Sequence, residues 1–368
     1  GRLAARVRGM RRWFSLLSPS FALGVLLAAC AAGEGGGGGV GPDAGSGGSG
    51  GGSGGGSGGG SGGGSGGLVI DSGGDGSAGS PSIVYVHTDT TLFRIDPTAA
   101  TPALEQLGDF DCVGKSGQDP AMTDVAVDKD GKLWGISHTQ VHQLDVSTQV
   151  VHCAKSITLS ATLDVKFYAL TFAPVGVISP TEEVLVAGNT AGELWAIDQN
   201  GGLSQRGVFG NVPVSDGNGH VYPSNHQNKA WELSGDIVFV ENDGNPIGFA
   251  TVRDCPNPPA TSNCNTTDTL IEIDVIKLAK ASILPVTKAV RGQIVKHPSC
   301  ADAANTAYGS MYGITTWADK VYGFSRKGNL VEIDTSDGTA CLLTAFPNAD
   351  FSGAGVTTKA VVIPPPPK

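Results

Sequence analysis

Short stretches of alternating apolar and polar residues run through the chain after about residue 80. Five of them end in an aliphatic residue followed by aspartate. This alternation predicts strands with one face on a core, and the aspartates predict turns at the strand ends. No stretch here shows a convincing amphipathic pattern of 3.6-residue period. We therefore predict an all-β fold whose repeated strands are 92–96, 141–145, 194–198, 270–274 and 330–334.

Two of these strands belong to longer units that match in several features. Each is preceded by a strand with a central glycine, 133–136 or 321–324, and before that by a further apolar run, 125–127 or 312–314. Cysteines repeat at the same interval, since Cys112 and Cys153 are 41 residues apart and so are Cys300 and Cys341. Four strands in each repeat of about 40 to 60 residues indicate a β-propeller. We predict five four-stranded blades, with six as the alternative.

The blade boundaries follow from these repeats. The unit around Trp134 is predicted to have strands at 122–127, 133–137, 141–145 and 150–157, and the later units span 166–210, 234–297 and 308–346. The first unit begins at 83–86 without an inner strand, which 354–358 is expected to supply by exchange between the termini. Such closure removes free sheet edges. The pattern over 82–358 resembles secreted bacterial propellers of the YVTN and NHL type, a resemblance that concerns fold more than function.

The N-terminal region has the composition of an export signal. Arg11 and Arg12 precede a mostly apolar stretch at 13–27, and small residues lead to Cys30. Residues 27–30 resemble the lipobox of bacterial lipoproteins, which implies that Cys30 is lipidated and begins the mature chain. We therefore predict a signal peptide at 1–29 with its natural start at Met10. The alternative is an ordinary signal peptide with a chance cysteine.

A tract rich in glycine and serine follows Cys30. Residues 31–80 hold 28 of the 56 glycines of the chain, and they offer almost no apolar surface to a core. We expect 30–80 to be a lipidated cysteine followed by a disordered tether with a mean span of about 40 Å. The propeller domain is then predicted at 81–363, and the proline-rich tail at 364–368.

Charge limits the class of partner. Loss of residues 1–29 removes five arginines and no acidic residue from 24 basic and 34 acidic side chains, so the net charge changes from −10 to −15. A negative surface disfavours nucleic acids and adhesion to anionic lipid. We expect a monomer that contacts the membrane through the lipid on Cys30 and binds a protein or a glycan. An aspartate directly after the lipidated cysteine would resemble an inner-membrane retention signal, but this chain has Ala31 there. We therefore expect the protein in the cell envelope, at the outer membrane or cell surface.

The connections between strands differ in length on the two faces of the predicted propeller. Turns from first to second and from third to fourth strand share one face and are mostly short, whereas the opposite face carries the long connections 112–120, 211–230, 255–268 and 298–307. We call the latter the long-loop face. Ligand sites usually lie on such loops. The candidate ligand-binding residues are Asp216, His220, Tyr222, His226 and Asp243, and the alternative is a solvated polar loop.

The remaining cysteines and acidic residues have structural interpretations. Six cysteines besides Cys30 in an exported chain predict three disulfides, Cys112–Cys153, Cys255–Cys264 and Cys300–Cys341. Zinc is the competing interpretation, but the Cys255 to Cys264 spacing is too wide for it. The five repeated aspartates favour turn formation over a Ca²⁺ ring. We predict no metal site and no cofactor, with Ca²⁺ left as a possibility.

No catalytic motif can be assembled from the sequence. We predict a surface or periplasmic lipoprotein whose propeller binds its ligand through the long-loop face without catalysis. The alternative is an enzyme resembling metal-dependent lactonases or quinoprotein dehydrogenases, which place their site at the central channel. Asp124, His220 and Asp243 are the residues that could contribute to such a site.

Overall fold

The computed structural model describes residues 84–160, 166–242, 245–259, 262–304 and 306–358. The chain divides into two compact units, 1–63 and 64–368, and every described residue belongs to the second. The described residues form five four-stranded antiparallel sheets, which we number as blades 1 to 5. The prediction of a five-bladed propeller is therefore confirmed, and the six-bladed alternative is wrong.

Each blade is listed from its innermost to its outermost strand. Blade 1 consists of β20 (Gly353–Gly355), β1 (Val84–His87), β2 (Thr91–Ile95) and β3 (Glu105–Asp109). Blade 2 is β4 (Met122–Val127), β5 (Leu133–Ser137), β6 (Gln140–Asp145) and β7 (His152–Thr158). Blade 3 is β8 (Phe167–Ala173), β9 (Val184–Asn189), β10 (Glu193–Ile197) and β11 (Leu203–Val208). Blade 4 is β12 (Glu232–Asn242), β13 (Asn245–Arg253), β14 (Thr269–Ile273) and β15 (Thr287–Gln293), and blade 5 is β16 (Met311–Trp317), β17 (Lys320–Ser325), β18 (Asn329–Ile333) and β19 (Ala340–Ala345).

The ring closes by exchange between the two ends of the domain, as predicted. Strand β20 pairs antiparallel with β1, with His87 opposite Gly353 and Tyr85 opposite Gly355. The five innermost strands then contact one another in the order β4, β8, β12, β16 and β20, and β20 contacts β4 again. We call the region that they enclose the hub. The chain continues past β20 to a parallel bridge between Thr357 and Val127, which fastens it to blade 2.

Packing between the first two strands of a blade explains the repeated glycine of the second strands. In blade 2, a Cβ at Gly135 would lie 2.6 Å from Sδ of Met122 on the innermost strand. In blade 5, a Cβ at Gly323 would lie 2.6 Å from Sδ of Met311, at the same place in the blade. Both methionines are fully buried. The glycine thus makes room for a methionine of the neighbouring strand, so both are required by core packing.

Two disulfides fasten neighbouring blades at equivalent joints. Cys112 follows blade 1 and bonds to Cys153 on β7 of blade 2, next to a parallel bridge between Phe110 and Val151. Cys300 follows blade 4 and bonds to Cys341 on β19 of blade 5, next to a bridge between Lys296 and Ala340. The third disulfide, Cys255–Cys264, closes the connection between β13 and β14. These are the three pairs that the sequence predicts.

The repeated aspartates form turns. Asp96, Asp145, Asp198 and Asp334 each accept a hydrogen bond at Oδ1 from the backbone N–H two residues later, at 2.7 to 2.9 Å. The fifth, Asp274, accepts from Lys277 N at 3.1 Å and caps the single-turn helix α1 (Val275–Leu278). The sequence did not predict this helix, because one turn shows no helical periodicity. Within the described part of the chain, no helix has the length and apolar character required to cross a membrane.

Candidate functional site

A cavity of about 470 Å³ opens at the hub on the long-loop face. Its lining comes from the start of the innermost strands and from the turns between the second and third strands of blades, which meet at that face. We call this cavity the hub mouth. Its volume lies in the range of small-molecule sites. The hub mouth is lined by Asp89, Pro120, Ala121, Met122, Thr123, His138, Tyr168, Ser310, Tyr312, Arg326 and Ser352.

Three lining residues are placed by equivalent β-bulges. The pairing of the innermost strand with its neighbour shifts between Met122 and Asp124 in blade 2, between Phe167 and Ala169 in blade 3, and between Met311 and Gly313 in blade 5. The residues skipped by these shifts are Thr123, Tyr168 and Tyr312, and all three line the hub mouth. A bulge turns a side chain out of the alternation of its strand, and such bulges are common next to functional sites.

An ion pair forms the polar side of the hub mouth. Arg326 Nη1 and Nη2 donate to the two carboxylate oxygens of Asp89 at 2.9 and 3.1 Å. Ser352 Oγ accepts a further bond from Arg326 Nη1 at 2.8 Å and donates its own proton to Asp89. Burial alone would raise the pKa of Asp89, but the bonds from Arg326 and Ser352 outweigh it and lower the pKa. The carboxylate is therefore ionised across the neutral range.

Aromatic side chains form a wall beside the ion pair. The guanidinium carbon of Arg326 lies 5.6 Å from the centre of the Tyr312 ring, within the range of a cation–π contact. His138 meets Tyr168 edge to face, with 6.3 Å between the ring centres. Burial, with Tyr312 as a lesser cause, raises the pKa of Tyr168, so its hydroxyl stays protonated. The wall offers ring surfaces and phenol groups to a ligand.

The backbone around Arg326 is held in a special conformation. Ser310 has a φ of 54°, in the left-handed region that few residues with a Cβ adopt. Its carbonyl accepts hydrogen bonds from Arg326 N and Tyr312 N, at 2.8 and 3.0 Å. In the turn after Arg326, Gly328 has a φ of 78°, and a Cβ there would overlap the carbonyl of Phe346. The turn and the strand start are thereby held together, which fixes the distance between the ion pair and Tyr312.

Three fully buried titratable residues lie deeper in the hub. Asp124 of β4 accepts from Leu170 N of the next blade, and Asp236 of β12 accepts from Ile314 N at 2.9 Å. The charge of Asp236 acts on the titration of Asp124. Burial raises the pKa of Asp236 to about 8, and burial together with the charge of Asp236 raises the pKa of Asp124 well above 3.8. The pair therefore keeps a proton at neutral pH.

His87 lies next to this pair. Its Nδ1 is 2.8 Å from the carbonyl of Thr88, which only accepts, so Nδ1 carries the proton and Nε2 is unprotonated. Burial lowers the pKa of His87 to about 4. Its Nε2 lies 3.7 Å from Asp124 Oδ1, and among the described residues neither atom has a hydrogen-bond partner. The backbone of Gly353 covers both, because a Cβ there would overlap each of them.

The loop 211–230 is packed against blades 3 and 4. Tyr222 is fully buried, with its ring edge-on to Trp231 at 5.3 Å and its hydroxyl 3.4 Å from Thr269 Oγ1. His220 contacts the Tyr222 ring at 4.7 Å. Asp216 accepts from Asn218 N and His220 N and so forms the turn of the loop. These three candidate residues are brought together, but none of them lines the hub mouth.

The other candidates are placed differently. His226 is buried and pairs through Nδ1 with Asp254 Oδ2 at 2.7 Å, which ties the loop to the end of β13. Asp243 and Cys30 lie outside the described residues, so ligand binding by the former and lipidation of the latter stay predictions. The enzyme alternative named Asp124, His220 and Asp243. Asp124 is buried below the hub mouth and His220 is in the loop, so the described residues of this set do not converge.

Three groups of described residues have the spacing of metal ligands: Cys112, His142 and Cys153; His297, Cys300 and Cys341; and Glu232, Cys255 and Cys264. Each group contains both cysteines of one disulfide. Sulfur coordinates a metal well as a thiolate, and a disulfide has none to offer. In the oxidised protein these groups are therefore covalent joints of the fold.

The sequence analysis did not single out the residues of the hub mouth as a site. A usable signal is the repeat itself, because Thr123, Tyr168 and Tyr312 occupy the same position in three units. Asp89 and Arg326 also occupy equivalent turns, between the second and third strands of blades 1 and 5. Aligning the units by their innermost strands would have brought these positions to one end of the hub.

No protein-family model and no curated protein matches the chain. Among solved structures, a protein of unknown function from Bacteroides caccae is similar over 75% of this chain and 98% of its own, at 11% identity and a TM-score of 0.35. The WD40 β-propeller domain of Doa1 is similar over 76% of this chain and 84% of its own, at 10% identity and a TM-score of 0.35. The propeller described above follows from the order and register of the five sheets.

Proposed function

We propose that this protein is a ligand-binding module whose site is the hub mouth. The observation that supports this most is that three equivalent β-bulges turn Thr123, Tyr168 and Tyr312 into one cavity of about 470 Å³. The cavity combines a few polar groups, the ion pair, with aromatic rings beside them, as ligand sites commonly do. It lies on the long-loop face, where the connections between strands suggest binding.

We further propose that the module works at the cell envelope. This part rests on the sequence alone, on the lipobox-like run that ends at Cys30 and on the Gly/Ser tract after it. A tether of about 40 Å mean span would let the propeller reach ligands away from the membrane. Labelling cells with a clickable palmitate analogue tests the anchor: the chain is expected to incorporate it, and Cys30→Ser to lose both the label and the membrane association. Equal membrane association of the two forms would contradict a lipid anchor.

The hub mouth can be tested by filling it. Ala121 is a small residue on its lining, and Ala121→Trp places an indole in the cavity. Ala100→Trp is the matched control, because Ala100 is exposed on the connection between β2 and β3 at the opposite face. The full chain carrying Cys30→Ser, to avoid the lipid, is applied to a glycan array and a peptide array. Melting temperatures of all variants are compared first.

The expected result is a ligand bound by the parent chain and by Ala100→Trp but not by Ala121→Trp. Tyr168→Ala, which removes a wall instead of filling the cavity, is expected to weaken the same ligand. Binding that is equal in all four forms would place the site elsewhere and refute the hub mouth. The absence of any array ligand for a well-folded parent chain would count against a glycan- or peptide-binding module.

A further inference from the structure

We infer that the ligand of the hub mouth is a neutral saccharide, a conclusion that rests on the proposed function. The inference comes from the hydrogen-bonding capacity that the ion pair leaves unused, from its balanced charge, and from the aromatic wall beside it. A neutral sugar carries adjacent hydroxyl groups and an apolar ring face, which correspond to those features.

The Asp89–Arg326 pair leaves part of its hydrogen-bonding capacity unused. An arginine has five N–H donors, and Arg326 uses three of them, two to Asp89 and one to Ser352. Asp89 accepts two bonds at Oδ1 and one at Oδ2, so lone-pair capacity is left at Oδ2. Both side chains remain part-exposed, at 49% for Asp89 and 37% for Arg326. An acceptor and donors therefore stand side by side at the opening.

Two neighbouring hydroxyl groups match this arrangement. One hydroxyl donates its proton to Asp89 and the other accepts from Arg326, since each hydroxyl has one donor and two lone pairs. Neither bond requires the ion pair to open. Bonds to charged groups are also about twice as strong as those between neutral groups, so this pair is a strong anchor for an uncharged ligand.

Charged ligands fit this geometry less well. An anion approaching Arg326 would meet the carboxylate of Asp89 within the same fork, and a cation approaching Asp89 would meet the guanidinium. Either would have to break a two-point ion pair or remain beside a like charge in a partly buried site, which is costly. The pair has no net charge, so a neutral ligand leaves the electrostatics of the hub mouth unchanged.

The aromatic wall supplies the apolar contact. Tyr168 and Tyr312 reach the cavity from bulges of blades 3 and 5, on either side of blade 4, and each ring is only part-buried. One side of the Tyr312 ring is covered by Arg326, and His138 lies against Tyr168. The rings can therefore contact the C–H face of a sugar while their hydroxyls bond to its edge, as amphipathic tyrosines do.

The test uses neutral, anionic and cationic saccharides. Glucose, galactose, mannose, cellobiose and lactose are the neutral probes, glucuronic acid is the anionic probe and glucosamine the cationic one, each measured by saturation-transfer NMR and calorimetry with the full chain carrying Cys30→Ser. We expect at least one neutral probe to bind, and Ala121→Trp to lose it. Asp89→Asn is expected to weaken it about tenfold or more, because a charge-assisted bond becomes a neutral one. Asp198→Asn is the control on the opposite face and should leave binding unchanged, since asparagine can keep that turn.

The outcomes separate this inference from the proposed function. Binding of only glucuronic acid, only glucosamine, or only an array peptide, lost in Ala121→Trp, would refute the neutral saccharide and leave the hub mouth as a binding site. Neutral sugar binding that persists in Ala121→Trp and Tyr168→Ala would refute the location, and with it the proposed function. Binding of a neutral sugar that Asp89→Asn does not weaken would refute the role of the ion pair in recognition.

Discussion

Replacing Asp124 with asparagine should change how the stability of the propeller depends on pH. Asp124 is fully buried at the hub and accepts from Leu170 N, and burial together with the charge of Asp236 raises its pKa. An asparagine has the same shape: its carbonyl oxygen can accept from Leu170 N, and its NH₂ group takes the place of Oδ1 near His87. The substitution therefore keeps the packing and removes one titrating carboxyl.

The magnitude follows from proton linkage. An aspartate has an ordinary pKa of 3.8, whereas burial raises the pKa of Asp236 to about 8 and that of Asp124 well above its ordinary value. Between about pH 5 and 8 the native pair holds a proton that the unfolded chain has released. A state that binds more protons loses stability as pH rises, by about 1.4 kcal/mol per pH unit for one proton. Through this pair, the free energy of unfolding should be about 4 kcal/mol lower at pH 8 than at pH 5.

His87 acts in the opposite direction over a lower range. Its folded pKa of about 4 lies below the ordinary 6.5, so the unfolded state binds the proton between these values and stability rises with pH there. We expect Asp124→Asn to leave this contribution largely in place, because Nε2 of His87 can accept from the new amide. The difference between the two proteins therefore reports mainly the carboxyl pair.

The assay is urea unfolding of the full chain, with disulfides intact, at pH 5, 6, 7 and 8. The stability of Asp124→Asn relative to the parent is expected to increase with pH, by at most about 1.4 kcal/mol for each pH unit, because the raised pKa of Asp124 is removed while buried Asp236 still titrates. Asp119→Asn is the control: hydrogen bonds from Ser137 and Thr139 outweigh burial and lower the pKa of Asp119, so its difference should be constant above pH 5. A constant difference for Asp124→Asn as well would refute a raised pKa of Asp124 in the native protein.

Three further predictions concern the structural residues. Tyr222→Ala should destabilise the fold by about 3–5 kcal/mol and Tyr222→Phe by about 1 kcal/mol or less in the same urea assay, because the ring is buried and the 3.4 Å bond to Thr269 is long; comparable losses would show that the hydroxyl dominates. Changing both cysteines to serine should cost about 4 kcal/mol at Cys112–Cys153 and about 2.5 kcal/mol at Cys255–Cys264, because the closed loops differ in length; equal costs would contradict a chain-entropy origin. Gly353→Ala should lower the melting temperature by many degrees, since its Cβ overlaps two hub atoms, and an unchanged value would contradict the described closure.

The fold could be predicted because its determinants recur in the sequence. An aliphatic residue followed by aspartate ends the third strand of each blade. Gly135 and Gly323 mark second strands that pack against a buried methionine of the innermost strand. The closing strand was predictable because the first unit, at residue 83, lacks an inner strand. The segment 354–358 belongs to no other unit and could supply that strand. The helix α1 was missed because a capped single turn leaves no periodic signal.

The candidate site was harder to predict because local composition does not report burial. The loop 211–230 carries histidines, tyrosine and glycines, and its tyrosine and one histidine are buried as anchors to blades 3 and 4. The hub mouth depends on bulges instead. A bulge is a property of the pairing between two strands, so Tyr168 and Tyr312 are indistinguishable in sequence from residues that alternate normally.

Aspartate shows most clearly how position in the propeller determines the role of a residue type. At the ends of third strands, Asp96 and its equivalents are satisfied by backbone amides and form turns. In the hub, Asp124 and Asp236 bond to amides of the next blade, and burial raises the pKa of both. At the hub mouth, Asp89 keeps its charge because Arg326 faces it, and it is still half open to solvent. Only this last environment leaves a charged acceptor with capacity for a ligand. For that reason the ion pair, and not the more numerous buried or turn-forming carboxylates, is where we expect recognition to occur.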